Sequence, residues 1–473
     1  MSVAHARLGH MSYTCTECGY SSIKWLGRCS RCGEWGTLEQ SEAAGGATAI
    51  KTQAKEVPAS KLAKPITEVD GTRTRAFRTG VSELDRVLGG GVVPGAVILL
   101  AGEPGVGKST LLLDVAGRAS RESGEGRRAL YITGEESAGQ VRLRAERIGA
   151  MHPDLLLAAE SDLATVLGMI VKIQPELLII DSVQTLASAE VQGVPGGVTQ
   201  VREVAAAIIR AAKSLDVPTV LVGHITKDGT VAGPRLLEHL VDVVCEFEGD
   251  KHSRLRLLRA VKNRYGPTDE VGCFDMTELG IQSVPDPTGL FLSRGSGHAP
   301  GSCLTVVQEG KRHLLVEIQT LVDKQTRGAP RRTVSGLDAN RLAMTLAVLN
   351  SEPMLHSFAE CDVYASTVGG AKVVEPAADL ALALALESAW QFRPLENRVI
   401  GIGEISLSGE IRNVPGIEQR LEEAYRQGVS HAIVAAGGLN NVTVPRGMEV
   451  SECDSIRQAV EAALGLELNN TAR

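Results

Sequence analysis

Along the middle of the chain, short aliphatic runs alternate with stretches whose apolar positions recur at helical spacing. From about residue 66 to 285 this alternation predicts a parallel sheet joined by crossover helices, because β-branched runs and amphipathic helices take turns along the sequence. Residues 96–101 (AVILLA) read as a buried strand and LLLDVAGRAS after them as a helix; residues 177–181 (LLIID) read as a second buried strand closing on a carboxylate. A Pro/Gly-rich stretch at 284–301 predicts a boundary, and beyond it a further α/β unit runs over 295–465. Before the sheet, residues 39–65 are small, polar and Lys/Pro-containing without apolar periodicity, the pattern of a linker. Ahead of that linker, residues 11–38 are dense in Cys, Gly and Trp and form a third kind of segment. No short-period repeat is visible, so solenoids and propellers drop out.

Composition agrees with several cored units. A length of 473 residues suggests about three domains. Apolar residues make up 43% of the chain, too many for a wholly disordered protein. With 49 Lys+Arg against 56 Asp+Glu the net charge is −7, which excludes a globally basic coat but not basic loops. The start of the chain lacks an apolar signal core and nowhere do 18 apolar residues run together, so a cytoplasmic protein without membrane attachment is expected.

Cysteine spacing brings in the first chemistry. Cys15 and Cys18 form one CxxC pair, Cys29 and Cys32 a second, and ten residues separate the pairs. Two thiolates on each of two tight turns satisfy tetrahedral Zn²⁺ and let a short segment fold. A redox CxxC would leave the other pair unexplained, and nine cysteines, an odd number, argue against a disulfide framework. Lys24, Trp25, Arg28 and Arg31 could face a nucleic acid or a protein, or be plain surface.

The run Gly102, Glu103, Pro104, Gly105, Val106, Gly107, Lys108, Ser109, Thr110 is GxxxxGK[ST] between a strand and a helix. Its glycines let backbone N–H groups wrap phosphate oxygens, and the helix N-terminus adds a favourable dipole. ATP is therefore the expected ligand, with Lys108 neutralising phosphate charge and Ser109 on Mg²⁺. Asp181, at the end of its strand, would hold the same Mg²⁺ through water. Glu135 and Glu136, in YITGEES, offer carboxylates to orient a water, although Glu136 reads equally well as a helix-start charge.

Taken together, the CxxC pairs, the phrase TGVSELDRVLGGGVVPG (79–95), the phosphate loop, YITGEES and the KNRYG segment (262–266) resemble the RecA-like ATPases and, within them, the bacterial RadA/Sms DNA-repair family. The likeness spans nearly the whole chain. It implies an α/β protein: a zinc knuckle, a RecA-like P-loop ATPase domain, then a Lon-protease-like α/β domain. It further implies that Glu135 activates water, that His224 senses the γ-phosphate, and that Lys262 and Arg264 reach the ATP of a neighbouring subunit. At two-residue spacing these two cations would share one strand face. The partners implied are single-stranded and branched DNA, the RecA recombinase, and further copies of the chain in a hexameric ring. The activity implied is a DNA-dependent ATPase of helicase type that promotes branch migration.

By the same likeness, DNA would meet two Gly-rich, mobile-looking loops, 188–197 and 227–235, with Lys227 and Arg235 as phosphate contacts. Lys324, Arg327, Arg331 and Arg332 form a third basic element, either a phosphate contact or a solvated run. A Lon peptidase needs a Ser nucleophile and a Lys base. Aligning VGGAKVVEPAADLALALALESA (368–389) and the GEISLSG stretch (403–409) puts Ala377 and Glu418 at those positions. The domain is then a scaffold for assembly and DNA rather than a peptidase. The alternatives kept open are an ATP-dependent protease, which Ala377 and Glu418 oppose, and a RecA-like assembly switch.

Overall fold

A computed structural model describes residues 12–18, 20–22, 24–41, 63, 65–68, 76–121, 128–224, 236–249, 254–293, 299–324, 329–395 and 398–465. The chain divides into two compact units, residues 1–70 and 71–473. The first is a small antiparallel sheet of β1 (Ser12–Cys15), β2 (Ser21–Ser22) and β3 (Leu38–Ser41) in the order β2-β1-β3. Its core holds Cys15, Cys29 and Leu38, too little apolar surface to hold thirty residues without help.

The second unit opens with helix α1 (Ser82–Val87) and strand β4 (Val97–Gly102), followed by α2 (Lys108–Arg121) and β5 (Ala129–Thr133). Next come α3 (Ala138–Arg147), β6 (Leu155–Ala159), α4 (Leu163–Ile173), β7 (Leu177–Asp181), α5 (Val198–Ser214) and β8 (Thr219–His224). Four further strands complete the sheet: β9 (Val243–Glu248), β10 (Leu255–Asn263), β11 (Val271–Thr277) and β12 (Gly280–Ser283). Their order is β12-β11-β10-β9-β4-β8-β7-β5-β6. Strand side chains alternate between faces. Ile98 and Leu100 therefore enter one core with Leu111, Leu112 and Val115 of α2, while Val97 and Leu99 enter another with Val166 of α4 and Val204 of α5. Burial on both faces explains why β4 and β7 are apolar throughout rather than alternating.

The expected parallel sheet is found from β9 to β6, but β10, β11 and β12 run antiparallel. The reason is connection length: Glu278 and Leu279 alone join β11 to β12, and so short a link permits only a hairpin. A bulge between Ala260 and Lys262 also shifts the register of β10, which ends at Asn263. Arg264 thus lies beyond the strand, and the expected shared strand face with Lys262 is not formed.

A second sheet follows, of β13 (Ser302–Glu309), β14 (Arg312–Asp323), β15 (Arg332–Ser335) and β16 (Asp362–Thr367), then β17 (Ile400–Ile402). The small hairpin β18 (Glu404–Ile405) and β19 (Ile411–Arg412) precedes its last strands, β20 (His431–Ala435) and β21 (Glu449–Cys453). The order is β15-β16-β14-β13-β17-β20-β21. Helices α6 (Ala339–Ser351), α7 (Asp379–Gln391), α8 (Ile417–Arg426) and α9 (Ile456–Leu464) pack on it. Residues 379–388 of α7 are buried on every side, as the unbroken Leu/Ala pattern requires. Arg312 of β14 donates to Glu83 of α1, whose carboxylate is 1% exposed and also accepts from the Cys273 N–H at 3.0 Å. Among the described residues no helix is long and apolar enough to cross a membrane.

Candidate nucleotide site and metal centre

The parallel strands deliver their last residues to one edge, and four of the expected site residues meet there. Lys108 opens α2 directly after the loop that leaves β4. Gly107 in that loop has φ +111°, a conformation that side-chain-bearing residues rarely adopt, so the backbone there demands glycine. Lys108 is 3% exposed and donates from Nζ to the carbonyls of Gly102 at 2.8 Å and Glu103 at 3.0 Å. Burial lowers its ammonium to about 8, against the opposing pull of Asp181 and Glu135. Ser109 is half-buried on the first turn of the same helix. Arg256 of β10 braces the loop by donating to the Val106 carbonyl at 3.2 Å.

Asp181 ends β7 and is 5% exposed. Its Oδ2 accepts from the Tyr131 hydroxyl at 2.5 Å, and its Oδ1 is buried with no protein partner. A buried carboxylate oxygen left bare beside a phosphate loop fits a metal-bound water, so the residues present suit Mg²⁺ held by Ser109 and Asp181. Tyr131 itself is fully buried, and burial followed by the Asp181 charge pushes its phenol well above the ordinary value. The peptide between Asp181 and Ser182 is cis.

Glu135 follows β5. Its Oε1 accepts from the Ser182 hydroxyl at 2.7 Å and lies 3.0 Å from His224 Nε2, at the end of β8. The His224 hydrogen bond, with help from Ser182 and Lys108, overcomes desolvation and lowers the carboxyl to about 2. Glu136 points elsewhere, to Arg144 at 2.5 Å, so of the two candidate carboxylates only Glu135 faces the site.

Lys262 and Arg264 are not in this cluster. Lys262 Nζ donates to the carbonyls of Glu238 and Val241, and Arg264 reaches Asp242 at 3.0 Å. Asp242 also accepts from the Val97 N–H at the beginning of β4 and from Lys213. The two cations therefore occupy the edge where β4 starts, and the phosphate loop the edge where it ends. Six strand residues, about 20 Å, lie between them.

In the loop at 188–197, backbone groups of Ser188, Val191 and Gly193 have a side-chain partner. Gln200, 3% exposed, accepts from the Ser188 N–H and donates to the carbonyls of Ser188 and Val191. Lys227, Arg235 and Arg327 lie outside the described residues. Lys324 sits 3.5 Å over the Trp390 ring, and Arg332 donates to the carbonyls of Cys361 and Phe358, so both are engaged within the protein. Arg331 is exposed, with its backbone N–H on Asp362.

At the aligned peptidase positions, Ala377 is buried in a 3₁₀ turn and Glu418 accepts from the Thr443 N–H. Beside them Arg420, 1% exposed, makes a two-pronged pair with Glu375 at 2.8 Å on both arms. Sequence reasoning missed this pair, as it missed Tyr131, Ser182, Gln200 and Asp242. Only Tyr131 left a signal, being an aromatic in an aliphatic strand.

In the first unit the four sulfurs of Cys15, Cys18, Cys29 and Cys32 lie within 4.8 Å of one another. Cys15–Cys32 and Cys18–Cys29 stand at 3.7 and 3.6 Å. A tetrahedron with Zn–S bonds of 2.3 Å has edges of about 3.8 Å, so the donors fit Zn²⁺. The Thr37 hydroxyl is the main cause that lowers the Cys15 thiol to about 6, whereas at Cys32 a backbone hydrogen bond from Glu34 is outweighed by desolvation and the neighbouring thiols, which push the thiol up to about 12.

Known proteins bear on this geometry. A model described as rubredoxin metal binding domain matches residues 13–40, one described as AAA domain matches 63–230, and one described as subunit ChlI of Mg-chelatase matches 371–438. Proteins named DNA repair protein RadA are similar over almost the full length. That of Mycobacterium tuberculosis is 50% identical over 454 residues, covering 95% of this chain and 92% of its own. For Mycolicibacterium smegmatis the identity is 49%, covering 95% and 96%. For Bacillus subtilis it is 40% over 465 residues, covering 96% and 98%.

Proposed function

The chain belongs to the RadA family of DNA repair proteins, with a zinc ribbon, an AAA-type ATPase domain and a Lon-like domain, and from that premise we propose a DNA-dependent ATPase working as a ring. The observation that carries this reading is the separation of Lys262 and Arg264 from the phosphate loop of their own chain. Cations on the far edge of the sheet cannot stabilise phosphate charge in cis. In a head-to-tail ring that edge faces the nucleotide of the next subunit. Hydrolysis then requires a neighbour, as in motors that fire around a ring.

Within one site, residues 102–110 would hold ATP with Lys108 on its terminal phosphates, and Ser109 and Asp181 would hold the Mg²⁺ that neutralises phosphate charge. Glu135, lowered to about 2, is a carboxylate at every working pH and accepts a hydrogen bond from the attacking water. His224 bridges Glu135 to the γ-phosphate. Lys262 and Arg264 of the adjacent copy neutralise charge as the phosphoryl group leaves. The ring translocates on single-stranded DNA held by Lys227, Arg235 and the basic run 324–332. It drives branch migration of intermediates made by the RecA recombinase. Of that run, Arg331 is the side chain best supported for DNA, because Lys324 and Arg332 already have protein partners. The Lon-like domain serves assembly, since Ala377 supplies no nucleophile.

The test is the ATPase rate with and without single-stranded DNA, for the full chain and for Lys108→Ala. Stimulation by DNA in the parent and loss of hydrolysis in the variant support the motor. A rate indifferent to DNA would contradict it.

A further inference from the structure

We infer that Ser182 is a positioning residue for hydrolysis: its hydroxyl fixes the Glu135 carboxylate in the pose that orients water. This rests on the reading of Glu135 given above. Ser182 is fully buried, directly after Asp181, and the peptide groups around it are pinned. The Asp181 carbonyl accepts from the Gly134 N–H at 3.0 Å, the Ser182 carbonyl from the Thr185 hydroxyl at 2.7 Å, and the Val183 N–H donates to Val222 at 3.1 Å. On the other side, the Thr133 hydroxyl accepts from the N–H groups of Glu135 and Glu136. Gly134 touches this platform so closely that a Cβ would stand 2.2 Å from Thr185 Oγ1. Two strand ends are thus locked together before any side chain of the site is placed.

From that platform Ser182 sends one hydroxyl, and it goes to Glu135 Oε1 at 2.7 Å. His224 contacts the same oxygen. Both protein partners hold one oxygen and leave Oε2 for a water. The two contacts come from different elements: His224 is the last residue of β8, paired with Gly102 of β4, whereas Ser182 follows β7 with the peptide groups on both sides of it hydrogen-bonded. With His224 shared between Glu135 and the γ-phosphate, Ser182 is the contact devoted to Glu135 alone. It also ties the water-orienting carboxylate to the metal-facing one through a single peptide link, so the two cannot drift apart. Orientation of this kind enters the rate and not the affinity for ATP.

The test compares the parent chain with Ser182→Ala, Glu135→Gln and the double variant, measuring kcat, KM for ATP and nucleotide binding. Ser182→Ala should lower kcat about tenfold to a hundredfold, the range for a hydrogen bond to a charged group, with KM and ADP binding unchanged. In a Glu135→Gln background, followed by single-turnover hydrolysis, Ser182→Ala should cost little more, because the two residues act as a unit. A Ser182→Ala enzyme with parental kcat, or one equally impaired with and without the Glu135 carboxylate, would overturn the proposal. If Glu135→Gln itself hydrolysed ATP normally, the reading of Glu135 would fall instead, which the single variant distinguishes.

Discussion

Lys108 is the residue whose environment makes the sharpest solution prediction. Its ammonium is lowered to about 8 because burial outweighs two nearby carboxylates, and a triphosphate would raise it again. Below pH 8 the group is already charged and ATP binding should take up no proton there. Above pH 8 it is neutral in the free protein, so binding must draw a proton from solution and affinity should fall by up to tenfold per pH unit. Calorimetry at pH 8.5 in buffers of different ionisation enthalpy measures this uptake; an uptake that is absent at pH 8.5 or equal at pH 6.5 would show the lysine to be ordinary. In the first unit, Cys29→Ala should lose bound zinc and with it the local fold, since among the described residues the buried core there is Cys15, Cys29 and Leu38; unchanged metal content by mass spectrometry would refute the four-thiolate site. Residue types at fixed spacing were readable in advance in both places, because a phosphate loop and a double CxxC are local in sequence. The pairings of Ser182 and Tyr131 were not, because their partners, Glu135 and Asp181, lie 47 and 50 positions away.

At the level of elements, the buried aliphatic runs predicted β4 and β7 to within a residue, since a strand covered on both faces leaves its composition no freedom. The antiparallel edge was less legible: a bulge in β10 and the two-residue turn between β11 and β12 shape it, and neither alters hydrophobic pattern. The loop at 188–197 carries the same lesson. Its glycines suggested mobility, and the pattern held no sign that one buried amide, Gln200, bonds four of its backbone groups. Gln200→Ala should strip those partners and cost about 1–3 kcal/mol, concentrated in the loop. Hydrogen exchange should quicken at 188–197 while the strands stay protected; uniform exchange across the unit would mean that Gln200 does not hold the loop.

Over the whole molecule, the ATPase sheet and the Lon-like sheet belong to one compact unit, and a buried ion pair joins them. Glu83 is 1% exposed and Arg312 10%, so removing one charge strands the other. Glu83→Ala should therefore lose about 3–5 kcal/mol of stability by denaturant unfolding, far more than a surface pair, and a loss under 1 kcal/mol would contradict the burial. The net charge of −7 looked unfavourable for a nucleic-acid protein, but charge matters where DNA would lie, and a ring can keep its positive groups inside. What no stretch of sequence disclosed is that Lys262 and Arg264 sit across the sheet from the loop they are proposed to serve. That separation makes the central claim a statement about pairs of subunits. It is tested most directly by mixing two inactive variants, Lys108→Ala and Arg264→Ala. Where an intact phosphate loop from one meets an intact Arg264 from the other, a whole site is restored. Random mixing in equal amounts should recover about a quarter of parental ATPase activity if sites form between subunits. A mixture no more active than its components would contradict the account.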